Sequence, residues 1–423
     1  MLDEKKFDMS NSLVLGMICL ITFGYLGVLR EKQIWISVVC LAILLVLIML
    51  KKINIKKPYG TIMTIYIFLL VSVVIYTRFQ GLSYIIYFTI MCIIILLDNN
   101  YIFYNKLINI FSKITTLFMI VTIINYFNKD LIINSLGFLL SNEQVDTIRF
   151  GQIWNGSSGL AGELSFNAFC LSIGFSIYFS RLLSNKKNVL LSIWYSIVLI
   201  LFFISISMTS KRSMLIVIPL VSVIMILIYV YNQRNNILKF FTTMIIIVSP
   251  IFYKIFVLDK LTQLLQSGKG NSALSNRELY WNIALDMIKE KPILGHGINS
   301  YDIRFNMLRG HSGFAGAHNS FLQIFSELGL VGFLLFVTFI LNNLYMTFKS
   351  LNYSIKEEML ENQLLLLISL FIQLICISVG VSESIFYQPQ EMYMYGVACS
   401  IGYKIFLDIN KRNRKKVPVL CES

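Results

Sequence analysis

Residues 315–336 read AGAHNSFLQIFSELGLVGFLLF. The stretch passes from small residues through a His–Asn pair into a long apolar run. His318 is one of only three histidines in 423 residues. Asn319 or Ser320 is a natural N-cap, because a short polar side chain there accepts a hydrogen bond from an unpaired amide of the first turn. His318 therefore stands just before a helix N-terminus. The partial positive charge of that end disfavours imidazolium, which predicts a neutral ring able to accept a proton. Gln323 and Glu327 follow Asn319 at steps of four and form a polar stripe on one face of the opening turns. At the mouth of a membrane helix such a stripe is expected to face a water-filled cavity. The plainer alternative is an interfacial histidine above ordinary helix-mouth residues.

Four more segments carry groups with chemical potential. In ISISMTSKRSMLIV, Lys211 and Arg212 form a tight turn between two apolar runs. They either snorkel to lipid headgroups or make a paired cationic clamp for a phosphate. In SNRELYWNIALDMIKEKPILGHG, Ser275 and Glu278 have capping-box spacing, so a helix of about 14 residues is expected to start there. Trp281, Ala284, Leu285 and Ile288 would form its apolar face, Pro292 would end it, and it would lie on the membrane surface or pack on the bundle. Arg277 would fall in the first turn, where a cation opposes the dipole. It either tolerates that cost or pairs with a phosphate. In RFGQIWNGSSGLAGELSFNAF, Arg149 and Glu163 flank a Gly/Ser-rich stretch. Glu163 is either a functional acid at a membrane edge or a helix-start carboxylate. Gly295-His296-Gly297 reads as a turn. His296 and His311 have no motif-like setting, and no histidine pair has the H-x-x-x-H zinc spacing.

The elements that must position these groups follow from composition. Hydrophobic residues make up 57% of the chain and charged residues 14%, where a soluble domain carries about 25% charged. Apolar runs recur at roughly the 17–25 residues that cross a bilayer. The expected class is an all-α integral membrane protein of about twelve transmembrane helices. The candidate spans lie near 12–29, 33–50, 60–76, 82–97, 114–127, 165–182, 188–208, 212–231, 237–257, 319–346, 361–381 and 390–407. No cleavable signal peptide is expected, since the first run is too long and lacks an A-x-A exit. With both termini taken as cytoplasmic, inward segments hold Lys51, Lys52, Lys56, Lys57, Arg181, Lys186, Lys187 and the basic run from Lys404 to Lys416. The short outward loops hold far fewer cations, as the positive-inside rule requires. The net charge of +14 is thus read as topology and contact with anionic lipid, not as nucleic-acid binding. The organisation expected is N-terminal spans (1–127), an outward loop (128–164), central spans (165–257), a long outward loop with short helices (258–318), C-terminal spans (319–407) and a basic cytoplasmic tail (408–423). Six of the seven cysteines fall in expected spans and Cys421 in the tail, with no C-x-x-C spacing, so they read as packing residues. Asn155 opens a glycosylation-type triplet that is common by chance. No internal repeat is evident, which weakens a transporter built on inverted repeats.

At these residues the chain resembles the O-antigen ligase and O-antigen polymerase superfamily, the Wzy and WaaL type proteins. PILGHGINSY followed by HNSFLQIFSELGLVG looks like the shared signature. RELYWNIALDMIKEKPILGHG is similar to the family's loop helix, TSKRS to its Ser-Arg hairpin, and GLAGELSFNAF to its earlier loop. The resemblance is strong over roughly 145–345, and Lys211 beside Arg212 departs from the usual Ser directly before Arg. It implies a membrane glycosyltransferase with a GT-C-like helical bundle, working at the outer face of the bacterial cytoplasmic membrane without cofactor or metal. The donor would be a glycan on undecaprenyl pyrophosphate. Arg212 and Arg277 would hold the pyrophosphate and His318 would meet the acceptor hydroxyl, with Arg149, Glu163, Lys211, Asn319 and Glu327 as further substrate-binding candidates. Membrane lipids, a flippase and a chain-length regulator are the implied partners, and nucleic acid is not. The reading preferred is a repeat-unit polymerase for capsule or O-antigen, inverting at the anomeric carbon. The alternatives are a ligase for the finished glycan, or a flippase that only binds it.

Overall fold

The computed structural model describes residues 9–24, 29, 32–75, 81–150, 156–185, 188–232, 269–309 and 316–416. Their regular structure is helical, apart from one isolated antiparallel bridge between Ile55 and Leu97. The helices are α1 (Met9–Phe23), α2 (Gln33–Met49), α3 (Gly60–Ile75), α4 (Leu82–Leu96), α5 (Tyr101–Phe127), α6 (Lys129–Leu136), α7 (Asn142–Phe150), α8 (Leu164–Ser184), α9 (Val189–Met208), α10 (Arg212–Asn232), α11 (Lys269–Glu290), α12 (Ser300–Arg309), α13 (Ser320–Lys356), α14 (Leu360–Gly380) and α15 (Pro389–Lys416). Asparagine starts several of them. The side chains of Asn100, Asn128, Asn188 and Asn319 each accept from an amide three residues on, at 2.9–3.1 Å. Asn319 thus caps α13, as its place in the sequence predicts.

Among the described residues, six helices are long and apolar enough to cross a membrane: α5, α8, α9, α10, α13 and α14. The protein is accordingly a multi-pass membrane protein. Four shorter apolar helices, α1 to α4, correspond to the first four expected spans. The expected span at 237–257 lies outside the described residues. The expected span at 390–407 falls within α15, which is not among the six. Its interior position explains why it need not be uniformly apolar. It packs against α4, α13 and α14, and Met392 to Ser400 are buried throughout. Polar side chains fasten this centre. Gln373 Nε2 donates to Thr347 Oγ1 at 2.8 Å and to Ser369 Oγ at 3.1 Å, while Ser369 Oγ donates to Ala398 O at 2.6 Å. Those bonds tie α13, α14 and α15 together.

At one end of the bundle, Lys56 is buried rather than offered to lipid. Its ammonium donates to Ile95 O at 3.1 Å and Ser400 O at 3.3 Å. Burial pushes its pKa down to about 7 against the pull of Asp98. Lys404 pairs with Asp98 at 2.8 Å. Two basic residues that the charge bias would assign to the leaflet are therefore structural ties. Helix α15 also runs on through Lys411, Arg412 and Arg414 to Lys416, so most of the expected tail is helix.

The two segments read as loops are largely helical. The described part of 128–164 holds α6, α7 and two 3-10 turns, Gly137–Leu139 and Gly159–Ala161. In 258–318, α11 begins at Lys269, before the capping-box pair, and runs 22 residues to Glu290. Its buried side chains are Ile283, Ala284 and Met287, which meet Tyr301, Phe305 and Ala317. Trp281 and Leu285 are 37% and 43% exposed. The apolar face expected from Trp281, Ala284 and Leu285 is thus rotated. Packing of α12 against α11 selects its neighbour, since both faces are apolar enough to serve.

Candidate active site

The site is positioned by an interlock between residues 291–299 and a break in α13. At Gly329 the backbone takes φ 64° and ψ −171°, outside the helical region. The amides beyond the break need other partners. Leu330 N donates to Pro292 O at 2.8 Å, and Val331 N to Ile293 O at 3.2 Å. In return Gly297 N donates to Glu327 O at 2.7 Å. Gly295, at φ 68°, lies directly on this break. A Cβ on Gly295 would meet Glu327 O at 2.3 Å, and one on Gly329 would meet Ile293 O at 2.4 Å. The glycines of PILGHG and SELG are therefore required by one backbone-to-backbone contact.

Glu327 completes the interlock. It is buried, and its carboxylate accepts from Asn299 N at 3.0 Å, Tyr301 N at 3.2 Å and the Tyr387 hydroxyl at 2.8 Å. It caps the start of α12, where a negative charge suits the free amides. The expectation that Glu327 faces a water-filled cavity and binds substrate is corrected here. The loop folds back over the helix break and supplies backbone donors that enclose the carboxylate. Gln323 is buried as well. Its Oε1 accepts from Ala317 N at 3.0 Å and Ser384 Oγ at 3.2 Å, which anchors the chain next to His318.

His318 itself has a left-handed backbone, φ 51°. Its amide donates to Ser384 Oγ at 3.1 Å, and its ring meets Tyr280 edge-on with centroids 5.1 Å apart. The ring opens onto a cavity of about 340 Å³ lined by Glu163, Lys211, Tyr280, Glu383, Gln388 and Glu391 among others. That volume is within the range of small-molecule sites.

One carboxylate organises the charge. Glu383, between α14 and α15, lies 3.5 Å from His318 Nδ1, 3.8 Å from Lys211 Nζ and 3.5 Å from Arg277 Nη2. Burial alone would raise its pKa. The hydrogen bond to His318 and the charges of Lys211 and Arg277 outweigh burial and hold the carboxyl below the usual carboxylate range. The imidazole thus shares Glu383 with two cations, neighbours that the sequence does not suggest. The ion pairs are long, and the Lys211 and Arg277 side chains are 26% and 37% exposed. They are loose enough to turn toward an incoming anion.

The remaining sequence candidates are placed as follows. Glu163 lines the cavity at the N-cap position of α8. Lys211 lines it, and Arg212 is not among its lining residues. Arg277 reaches it through Glu383; it lies more than two turns into α11, so the dipole cost foreseen for a first-turn cation does not arise. Arg149 ends α7, exposed, its carbonyl accepting from Lys129 Nζ, and does not line the cavity. Asn319 is the cap of α13 and not a lining residue. His296 is tied to Met287 O at 3.0 Å beside the Glu290–Arg304 ion pair, and His311 and Asn155 lie outside the described residues. Among the described residues no group of His, Cys, Asp and Glu is placed to hold a metal ion. Sequence reasoning missed Glu383, Ser384, Gln388 and Glu391. The available signal was the polar run SESIFYQPQE between two apolar segments, with two acids where a short membrane turn needs none.

Comparison with known proteins adds two findings. Residues 197–337 match a family model described as O-antigen ligase (Wzy_C). That region contains Lys211, Arg277, His318 and the whole interlock. A 95-residue stretch is 34% identical to an uncharacterized protein of Haemophilus influenzae, covering 21% of this chain and 24% of that protein. The chain thus aligns with about a quarter of the length of this curated relative.

Proposed function

We propose, from the match of residues 197–337 to the O-antigen ligase and polymerase superfamily, that the protein is a glycosyltransferase that polymerises lipid-linked oligosaccharide repeat units. The observation that carries this reading is the convergence of Lys211, Arg277 and His318, from three separate segments, on Glu383 at one cavity. The donor is a glycan on undecaprenyl pyrophosphate. A hydroxyl of the acceptor unit attacks the anomeric carbon, and the carbon–oxygen bond to the pyrophosphate breaks. The bonding pair leaves with the pyrophosphate, whose charge Lys211 and Arg277 meet as they turn from Glu383. The hydroxyl proton passes to His318, which Glu383 orients through Nδ1. Direct displacement of the pyrophosphate inverts the anomeric centre. The charge bias of the loops supports the outer face of the cytoplasmic membrane as the place of this chemistry, and the reading includes a flippase that supplies the substrate and a chain-length regulator as a further partner.

The description of the matched family favours a second reading, a ligase that moves finished glycan to a terminal acceptor. A gel of lipid-linked and finished glycans from cells lacking this gene separates the two. Single repeat units accumulate, and the long ladder disappears, if the protein is the polymerase. Full-length polymer left on the lipid carrier means ligase. An unchanged glycan profile overturns both.

A further inference from the structure

Glu391 is a second carboxylate at the cavity, and the transfer chemistry above does not use it. It is the third residue of α15 and only 7% exposed. An acid near a helix N-terminus is ordinary on its own, because free amides there satisfy it. Glu391 departs from that pattern. Its carboxylate is bonded to its own backbone amide, yet Oε2 has no hydrogen-bond partner among the described residues. A buried carboxylate oxygen left without a donor is costly, and this one belongs to a residue that lines the cavity.

Its surroundings narrow what could supply the donor. Glu163 and Glu383 are the carboxylates that act on it electrostatically. Glu383 is offset by Lys211 and Arg277, so it is Glu163 beside Glu391 that makes this part of the cavity less favourable for a pyrophosphate than the side with the cations. These two acids suit a neutral group that donates hydrogen bonds. Ser165 and Gln388 add polar groups to the lining of the same cavity, and Phe169, Tyr280 and Phe305 add aromatic faces. Tyr280 and Phe305 stack with centroids 5.0 Å apart. A cavity lined by both acid and amide groups and aromatic faces matches the two sides of a sugar ring, its hydroxyl edges and its C–H face.

We propose that Glu391, with Gln388 and Ser165, forms the acceptor-sugar subsite, in which Oε2 receives a hydrogen bond from a hydroxyl of the incoming unit. This rests on the glycosyl-transfer reading. The cations next to Glu383 fix the donor by its pyrophosphate, so the acidic part of the cavity is left to the other sugar. Glu391 is a binding residue here, and the reacting proton still goes to His318.

The test uses full-length protein in nanodiscs, with two probes. One is the lipid-linked oligosaccharide extracted from cells lacking this gene, used for transfer kinetics. The other is undecaprenyl pyrophosphate without sugar, used for binding. Loss of one hydrogen bond to a buried carboxyl group predicts that Glu391→Gln raises KM for the oligosaccharide about tenfold. Its kcat should fall by less than about threefold, and undecaprenyl pyrophosphate should bind as to wild type. Glu391→Asp, which keeps the carboxyl group and shortens the reach, should fall between wild type and Glu391→Gln. Unchanged KM in both variants overturns the subsite, as does a large loss of kcat at unchanged KM. Weakened binding of undecaprenyl pyrophosphate by Glu391→Gln also overturns it, because the acid would then serve the clamp. Wild-type protein that neither transfers the glycan nor binds undecaprenyl pyrophosphate would overturn the glycosyl-transfer reading itself and the subsite with it.

Discussion

At the residue scale the protein turns on Glu383. A single carboxylate reaches two cations and an imidazole that lie far apart in the chain. In this arrangement it keeps like charges on Lys211 and Arg277 from repelling each other before substrate arrives. Glu383→Gln is expected to keep the fold and lower kcat about 100-fold, in line with the loss of an oriented proton acceptor. The same change has a pH signature. The folded-state pKa of Glu383 is lowered, so its contribution to stability is full above the ordinary carboxylate range. That contribution is lost as pH falls through the lower folded value. Unfolding temperatures of wild type and Glu383→Gln should therefore differ at pH 7 and converge only as pH falls through that lowered value, below the ordinary carboxylate range. Curves that stay parallel at all pH values would show that the ion pairs contribute nothing. His318 was legible from the sequence because histidine is rare here and precedes an N-cap. Glu383 was not, because its meaning lies in distances to residues of other segments.

At the element scale, the break in α13 does the positioning. An unbroken helix would keep the amides of Leu330 and Val331 to itself and leave the 291–299 segment without anchors. The break gives both amides to Pro292 and Ile293 and presents Glu327 to the start of α12. His318, whose amide bonds Ser384 Oγ and whose neighbour Ala317 is anchored on Gln323, inherits that rigidity. Gly329→Ala combines a left-handed backbone with a Cβ 2.4 Å from a carbonyl oxygen. It is expected to destabilise by about 2–4 kcal/mol. Thermal unfolding in detergent reads this directly, and a variant that melts with wild type would argue that the interlock is dispensable. The glycines and the carboxylate of PILGHG and SELG were visible as a pattern. Their role was hidden, because a polar stripe looks the same whether it faces water or a folded-back loop. The start of α11 was misplaced for a related reason. A capping-box spacing is a local preference worth about 1 kcal/mol, and a helix can run through it.

At the scale of the whole molecule, the cavity lies at the end of the bundle where α14 gives way to α15, and Lys56, Asp98 and Lys404 tie the opposite end. The orientation proposed from the loop charges puts the cavity end outside and is tested by labelling. Ser382→Cys should react with an impermeant maleimide added to intact cells, and Lys52→Cys only after permeabilisation. The reverse pattern would invert the proposed topology and remove the active site from the outer face. By itself the sequence determined the class of protein, since apolar runs of bilayer length have few other uses. It also determined the tight turn at Lys211, the cap at Asn319 and the glycine turn around His296, all of which depend on neighbours within a few residues. The tertiary structure alone decided which charged groups share a cavity and which are sealed away. Lys211, Glu163 and Glu391 line it, whereas Glu327 and Lys56 are buried as ties. The physical reason is that burial and ion pairing are set by packing between distant segments, and a carboxylate or an ammonium carries the same letter in either setting.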